Sequence, residues 1–190
     1  MKFLKALYIH NTFFRYLAGL CACFILSYWV PNIYPIAWLL TLVLLGLFLF
    51  DIFILFGTSG RIDAQRKLPK KLSNSDINPI QIQFETHYAF KTYITIIDEL
   101  PIQFQKRDFD YKTVAIKGEK RQFDYTVRPV DRGEYVFGNL NAYASSPLRI
   151  IKRKFVFQKD QMVPVYPSII QMQQYDFLAI SNRLTEFGLK

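Results

Sequence analysis

The hydrophobic rhythm of the chain changes near residue 57. Before that point apolar residues run on without alternation. Tyr16–Val30 and Ile36–Phe50 carry no charged side chain, and only Pro31-Asn32-Ile33-Tyr34-Pro35 separates them. About 20 apolar residues are needed to cross a bilayer core of about 30 Å. Phe13–Val30 and Ile36–Phe56 approach that length, with Arg15 and Asp51 as their only charges. The pattern predicts an α-helical transmembrane hairpin over 1–56, with spans near 13–30 and 36–56. Tyr28, Trp29, Tyr34 and Trp38 gather at its turn, where amphipathic rings favour the headgroup layer. Asp51 is close enough to the end of its span to reach the interface.

From Ile77 the period becomes two. Ile80-Gln81-Ile82-Gln83-Phe84 alternates strictly, and Phe123, Tyr125 and Val127 alternate with Asp124, Thr126 and Arg128. Further short strands are expected at 93–97, 111–116, 135–143, 150–157 and 162–166. Turn residues such as Pro101, Gly118, Pro129, Gly133 and Pro147 punctuate them. Short strands at this spacing, without intervening helices, predict an all-β immunoglobulin-like antiparallel sandwich over 77–167. Residues 57–76, which begin Gly57-Thr58-Ser59-Gly60, read as a basic juxtamembrane linker. Ile169, Met172, Tyr175 and Phe177 predict a short C-terminal helix over 168–190, with Ser168 at its start.

Charge adds an orientation. The net charge is +9, and basic residues flank both spans: Lys2, Lys5 and Arg15 before the first, and Arg61, Arg66, Lys67, Lys70 and Lys71 after the second. The turn is uncharged. Positive flanks stay on the cytoplasmic side, so both termini are expected there. Arg61, Arg66, Lys67, Lys70 and Lys71 read as a lipid-facing basic segment. The excess charge comes without a zinc, RNA-recognition or helix-turn-helix signature, which disfavours nucleic acid. A cleaved signal peptide is disfavoured because a second span follows the first. Leu20-Cys21-Ala22-Cys23 resembles a lipidation box only loosely, since the apolar run continues through Phe24-Ile25-Leu26. Both cysteines lie in the first span, too closely spaced for a Cys-x-x-Cys redox or zinc pattern.

The search for chemistry is negative. The two histidines, His10 and His87, are far apart in sequence and belong to no metal-binding motif. Neither a phosphate loop nor a nucleophile elbow is present. Asp98 and Glu99 are sequence neighbours, which on a strand point to opposite faces, so they read as solvated residues ending a strand. No catalytic residue, cofactor, metal or small-molecule substrate is expected. The most informative local motif is Arg132-Gly133-Glu134-Tyr135-Val136-Phe137-Gly138. Gly133 permits a positive φ there, Tyr135 and Phe137 face one side of the next strand, and Arg132 is placed to bond turn carbonyls or a carboxylate.

That motif also carries a family resemblance. Arg132-Gly133-x-Tyr135-x-Phe137-Gly138 is followed by Ser146-Pro147-Leu148 and by Val163-Pro164-Val165-Tyr166-Pro167. Leu68-Pro69 and Asp98-Glu99-Leu100-Pro101 precede it. In this order, after an apolar hairpin, the set resembles the N-terminal half of the MoxR-associated family called domain of unknown function 58. The resemblance implies a hairpin holding a cytoplasmic β-sandwich at a bacterial inner membrane. In the family, an Arg-rich signature with Glu-Phe and Gly-Asp and a von Willebrand A-like domain follow; this chain ends about where they would begin. It further implies an interaction module without enzymatic activity, partnered by a MoxR-type AAA+ ATPase and von Willebrand A-type proteins in an envelope or chaperone-like role. The rival expectations are a non-catalytic subunit of a peptidase or transglutaminase-like system, and a basic lipid-surface binder.

Overall fold

The computed structural model describes residues 2–105 and 109–167. A short helix α1 (Lys2–Ala6) leads into a strand β1 (Leu7–Ile9), and two apolar helices follow, α2 (Asn11–Leu26) and α3 (Ile33–Ile52). A single π turn, Phe53–Gly57, continues α3. Pro35, expected in the connecting turn, lies in the first turn of α3. There its missing N–H removes no intrahelical bond. The two helices run antiparallel and touch at both ends. The Phe13 and Phe48 rings are 5.5 Å apart, and Phe24 meets Tyr34 and Trp38 edge-on. One helix, Ile33–Gly57, is long and apolar enough to cross a membrane; Asn11–Leu26 is a shorter apolar helix.

The remainder is a β-sandwich of the immunoglobulin-like type, almost wholly antiparallel. Its strands are β2 (Ile62–Lys67), β3 (Leu72–Ser73), β4 (Asn78–Thr86), β5 (Thr92–Asp98), β6 (Asp110–Ala115), β7 (Lys120–Val127), β8 (Gly133–Phe137), β9 (Leu140–Ser145), β10 (Ile151–Phe157) and β11 (Gln161–Tyr166). They form three sheets: β1-β10-β9-β5-β6, β2-β4-β7 and β3-β11-β8. The strict alternation read at 80–84 is the buried face of β4, where Ile80, Ile82 and Phe84 point inward.

Two cores result. Ile82, Phe84, Ile94, Ile96, Leu140, Ala142 and Ile151 fill the first, between the five-stranded sheet and β2-β4-β7. Leu55 belongs to it, and Phe13, Phe48, Ile52 and Phe56 pack against it, so the helix ends roof this core. Leu72, Ile80, Val127, Tyr135, Phe137, Val163 and Val165 fill the second, at the end away from the helices.

Several expectations need correction. Residues 57–76 are no linker. Within them β2 pairs with β4 from Ile62↔Thr86 to Lys67↔Gln81, and β3 pairs parallel with β11. Ile62, Arg66 and Leu72 supply the buried side chains that hold this segment down. The single strand expected at 135–143 is two strands in different sheets, and Gly138-Asn139 makes the crossing. β1 was missed because three residues before an apolar helix carry no legible period. The expected C-terminal helix over 168–190 lies outside the described residues.

Candidate functional site

The helices are built into the sandwich through a polar joint. Asp51, expected at the lipid interface, is fully buried instead. Its Oδ2 accepts from the amides of Ile150 (3.1 Å) and Ile151 (2.9 Å), where β10 begins. The same stretch accepts a bond from the other helix, since the His10 amide donates to the Ile150 carbonyl at 2.9 Å. His10 also caps α2, its Nδ1 accepting from the Thr12 amide at 3.1 Å. Burial, then the charges of Lys152, Arg149 and Arg15, hold the His10 pKa below its ordinary value.

The C-terminal end of α3 is held as firmly. The last carbonyls of a helix lack intrahelical partners and carry the negative end of its dipole. Here the Leu55 carbonyl accepts from Arg153 Nη1 at 2.6 Å and from the Tyr88 hydroxyl at 3.1 Å. Arg153 also reaches the Gly60 carbonyl (3.3 Å), and its guanidinium lies 4.9 Å from the Phe56 and Phe155 ring centroids. Gly60 has no room for a side chain, because a Cβ there would lie 2.2 Å from the Tyr88 ring. Burial pushes the Tyr88 hydroxyl pKa up, and Arg153 opposes it.

A second buried polar cluster joins the two cores. Arg66, expected to face lipid, is 2% exposed. Its Nη1 donates to Asp98 Oδ1 in an ion pair with both side chains fully buried. Nη2 donates to the Gly138 carbonyl (3.1 Å) and to Gln161 Oε1 (3.1 Å), and the guanidinium stacks 5.1 Å from the Phe137 ring. The Gln158 side-chain amide completes the edge of β2, accepting from the Arg66 amide and donating to its carbonyl at 3.1 Å. Tyr125 donates to the other Asp98 oxygen at 2.5 Å. Burial drives the Asp98 pKa up despite Arg66 and Tyr125, and it drives Tyr125 up as well.

Of the two neighbours expected to be solvated, Asp98 is buried and Glu99 is exposed, yet Glu99 is tied down by hydrogen bonds. It accepts from the Asn139 amide (2.9 Å) and from the side-chain amides of Asn139 (3.0 Å) and Asn141 (2.7 Å). Burial opposes its ionisation, but these bonds outweigh it and lower its pKa.

The rest of the basic segment does not gather at the helix ends. Arg61 is exposed and paired with Asp63 at 3.2 Å, and Asp63 also binds His87 at 2.9 Å. β2 then carries the chain away from the helices at about 3.3 Å per residue, so Lys67, Lys70 and Lys71 lie toward the second core. Lys71 stands 5.9 Å from the Tyr166 ring there.

The Arg132–Gly138 corner also borders that core. Gly133 adopts φ +132, and Tyr135 and Phe137 are buried side by side. The Tyr135 hydroxyl donates to the Asp131 carbonyl at 3.1 Å and accepts from its amide at 3.3 Å, the local hydrogen bonding of a tyrosine corner. Arg132 is exposed and makes no hydrogen bond among the described residues. Gly138 lies against Glu99, whose Oε2 would be 2.8 Å from an added Cβ. β8 is an edge strand, and its Val136 pairs directly with Met162 on β11. Both are exposed, as are Val130 and Tyr166 nearby. The end of the molecule farthest from the helices thus presents apolar side chains beside an open strand edge.

An open groove of about 640 Å³ lies beside β2, β4 and β7, with Asp63, Gln65, Gln83, Glu85, Lys120 and Gln122 among its walls. Gln83 Nε2 donates to Gln81 along its own strand and to Gln122 across the sheet. It is an amide-rich wall with no nucleophile paired to a base. Among the described residues no three His, Cys, Asp or Glu side chains gather as metal ligands.

No family model matches the chain, and no curated protein matches it. Among solved structures it is similar to the CARDB domain of a Pyrococcus furiosus protein, crystallised in complex with di-metal ions. The identity is 10%, the TM-score 0.38, and the match covers 57% of this chain and 94% of that one. A β-glucosidase from Listeria innocua matches at 12% identity and TM-score 0.35, over 56% of this chain and 16% of the enzyme. The C-terminal domain of wzt matches at 15% identity and TM-score 0.35, over 58% of this chain and 75% of that domain. Likeness this slight carries nothing about ligand or activity, and the metal ions are those of the archaeal domain alone.

Proposed function

We propose that this chain is a membrane-anchored interaction module without catalytic chemistry of its own. Its two apolar helices hold the sandwich against the cytoplasmic face of a bacterial inner membrane, and the sandwich docks a MoxR-type AAA+ ATPase. The observation that carries the anchoring is the joint at β10. Asp51 and His10 bond the same two-residue stretch, Ile150-Ile151, from two different helices.

Connectivity supports a second crossing in this reading. β1 is paired with β10, and so is held on the sandwich. If α3 crosses, its first residue Ile33 lies on the opposite side, so the chain between His10 and Ile33 must cross back. The lengths suit this reading. The 16 residues of α2 rise about 24 Å and the stretch 33–50 of α3 about 27 Å, a modest mismatch that thinning or snorkelling absorbs. Basic flanks supply the cytoplasmic orientation.

The partner class rests on the resemblance of the ordered motifs to those of the domain of unknown function 58 family. The docking face is the edge of β8 with Val136, Met162 and Tyr166, which lies away from the membrane and open to an added strand or an apolar surface. Cross-linking the membrane-bound chain in cells, followed by mass spectrometry, tests this. Recovery of a MoxR-type ATPase, lost in Val136→Asp/Met162→Asp while membrane insertion persists, is the expected result. Recovery unaffected by that double substitution removes the assigned face, and no ATPase among the cross-linked proteins removes the partner.

A further inference from the structure

Of the basic segment expected to face lipid, Arg66 is buried and Arg61 is paired with Asp63. Segment 149–152 runs between the N-terminus of α2 and the C-terminal end of α3, held by the bonds from His10 and Asp51. Three cations surround that point. Arg149 adopts φ +52 and lays its guanidinium 3.5 Å from the Tyr93 ring centroid. Lys152 lies opposite Tyr8 across the β1–β10 ladder. Arg15 is exposed on the first turns of α2 and donates to Thr12 Oγ1 at 3.0 Å. After burial, the charges of all three contribute to lowering the His10 pKa.

None of the three takes part in an ion pair among the described residues. Asp51 is their acidic neighbour, and its Oδ2 is bound to two backbone amides inside the fold. Arg61, by contrast, is neutralised by Asp63. The positive charge is therefore left over at one level of the molecule, where the apolar helices emerge from the sandwich.

We propose that Arg15, Arg149 and Lys152 form a binding site for the phosphate headgroup of an anionic lipid. The proposal rests on the anchoring reading above, which puts this level at the bilayer surface. The chemistry fits. A stacked guanidinium keeps its in-plane donors free for phosphate oxygens, and lysine adds a mobile point charge. Lys154, two residues further along the same face, stands 5.9 Å and 5.8 Å from the Tyr8 and Tyr143 rings and extends the basic surface. Location selects the lipid over a soluble polyanion, because a headgroup is already present at that depth while a nucleic acid would have to compete with the membrane for it.

The test uses the full chain in neutral detergent, titrated with phosphatidylglycerol or phosphatidylcholine, with bound lipid counted by native mass spectrometry. The expected result is retention of phosphatidylglycerol at concentrations where phosphatidylcholine is not retained. Arg15→Gln/Arg149→Gln/Lys152→Gln should weaken that retention on the order of 10- to 100-fold, while Lys67→Gln/Lys70→Gln/Lys71→Gln should leave it intact. A melting curve monitors folding, and the single Lys152→Gln variant, expected to show a smaller loss, serves if the triple variant is unfolded. Equal retention of both lipids, or retention that survives a folded triple variant, overturns the site. Displacement of the lipid by inorganic phosphate at equal concentration also overturns it, assigning the cations to a soluble anion. Carbonate extraction of membranes from the same cells separates the two failures. A chain that resists extraction but shows no lipid preference loses only this site; a chain that is extracted loses the anchoring reading as well.

Discussion

Arg66 shows how much one side chain can decide. It enters the fold from a run of exposed basic residues, yet it is buried against Asp98, Gln161, the Gly138 carbonyl and the Phe137 ring. Burial raises the Asp98 pKa even with Arg66 and Tyr125 opposing it, so desolvation outweighs the attraction, as is common for buried pairs. Removing one partner is then worse than removing both. Arg66→Ala should cost about 3–5 kcal/mol, and Arg66→Met/Asp98→Leu less than that, read from denaturant unfolding of the detergent-solubilised chain. An equal or greater loss in the double variant would show that the pair contributes net stability. His10 carries a pH dependence at the same scale. Its pKa is lowered in the folded chain, so the folded state binds fewer protons than the unfolded one. The stability this contributes is fully present above about pH 6.5, the unfolded value, and is lost as pH falls through the depressed value. Protonation of Nδ1 would also end its capping bond to Thr12. A ring-proton titration by NMR should give a midpoint below 6.5 that moves upward in Lys152→Ala.

At the level of elements, the joints matter more than the strands. Gly60 packs flat on Tyr88, which with Arg153 secures the Leu55 carbonyl. Gly60→Ala must displace the Tyr88 ring and should cost about 1–3 kcal/mol, with faster proteolysis near Gly57–Arg61 as the specific sign. Unchanged protease resistance would mean that the helix end does not depend on Tyr88. Strand identity was largely legible. Alternation in 80–84 and 123–127 marks β4 and β7 because each buries one face, and the apolar runs of α2 and α3 need no partner to be recognised. What was illegible is long-range. Nothing adjacent to Asp51 announces that amides 99 and 100 residues away will bind it. Nothing beside Arg66 announces Asp98 or the Gln158 amide. The segment at 135–143 looks continuous because Gly138 reads as one more turn residue, whereas its lack of a Cβ lets Glu99 close in and sends β9 to the other sheet. For Arg132–Gly138 the burial of Tyr135 and Phe137 followed from alternation, but exposure of Arg132 did not.

For the whole molecule, the joint at β10 converts a question of topology into one of connectivity. A flexible tether would allow the sandwich to sit on either side of its N-terminal segment. Here β1 is part of the five-stranded sheet, and α3 enters the same sheet through Asp51. The N-terminal segment and the sandwich must therefore share one side of any membrane that α3 crosses, and the Pro31–Asn32 turn must lie on the other. Single cysteines at Leu4, Ser75 and Asn32, in a background with Cys21 and Cys23 replaced by alanine, test this in sealed membrane vesicles of known orientation. Leu4→Cys and Ser75→Cys should react with an impermeant maleimide from the cytoplasmic side, and Asn32→Cys only from the opposite side. Labelling of Asn32→Cys together with Leu4→Cys from one side would mean that the helices lie along the surface or inside a larger assembly. The sandwich would then be a partner of the membrane and no longer fixed to it, and the geometry that points Val136 and Met162 away from the bilayer would lose its basis.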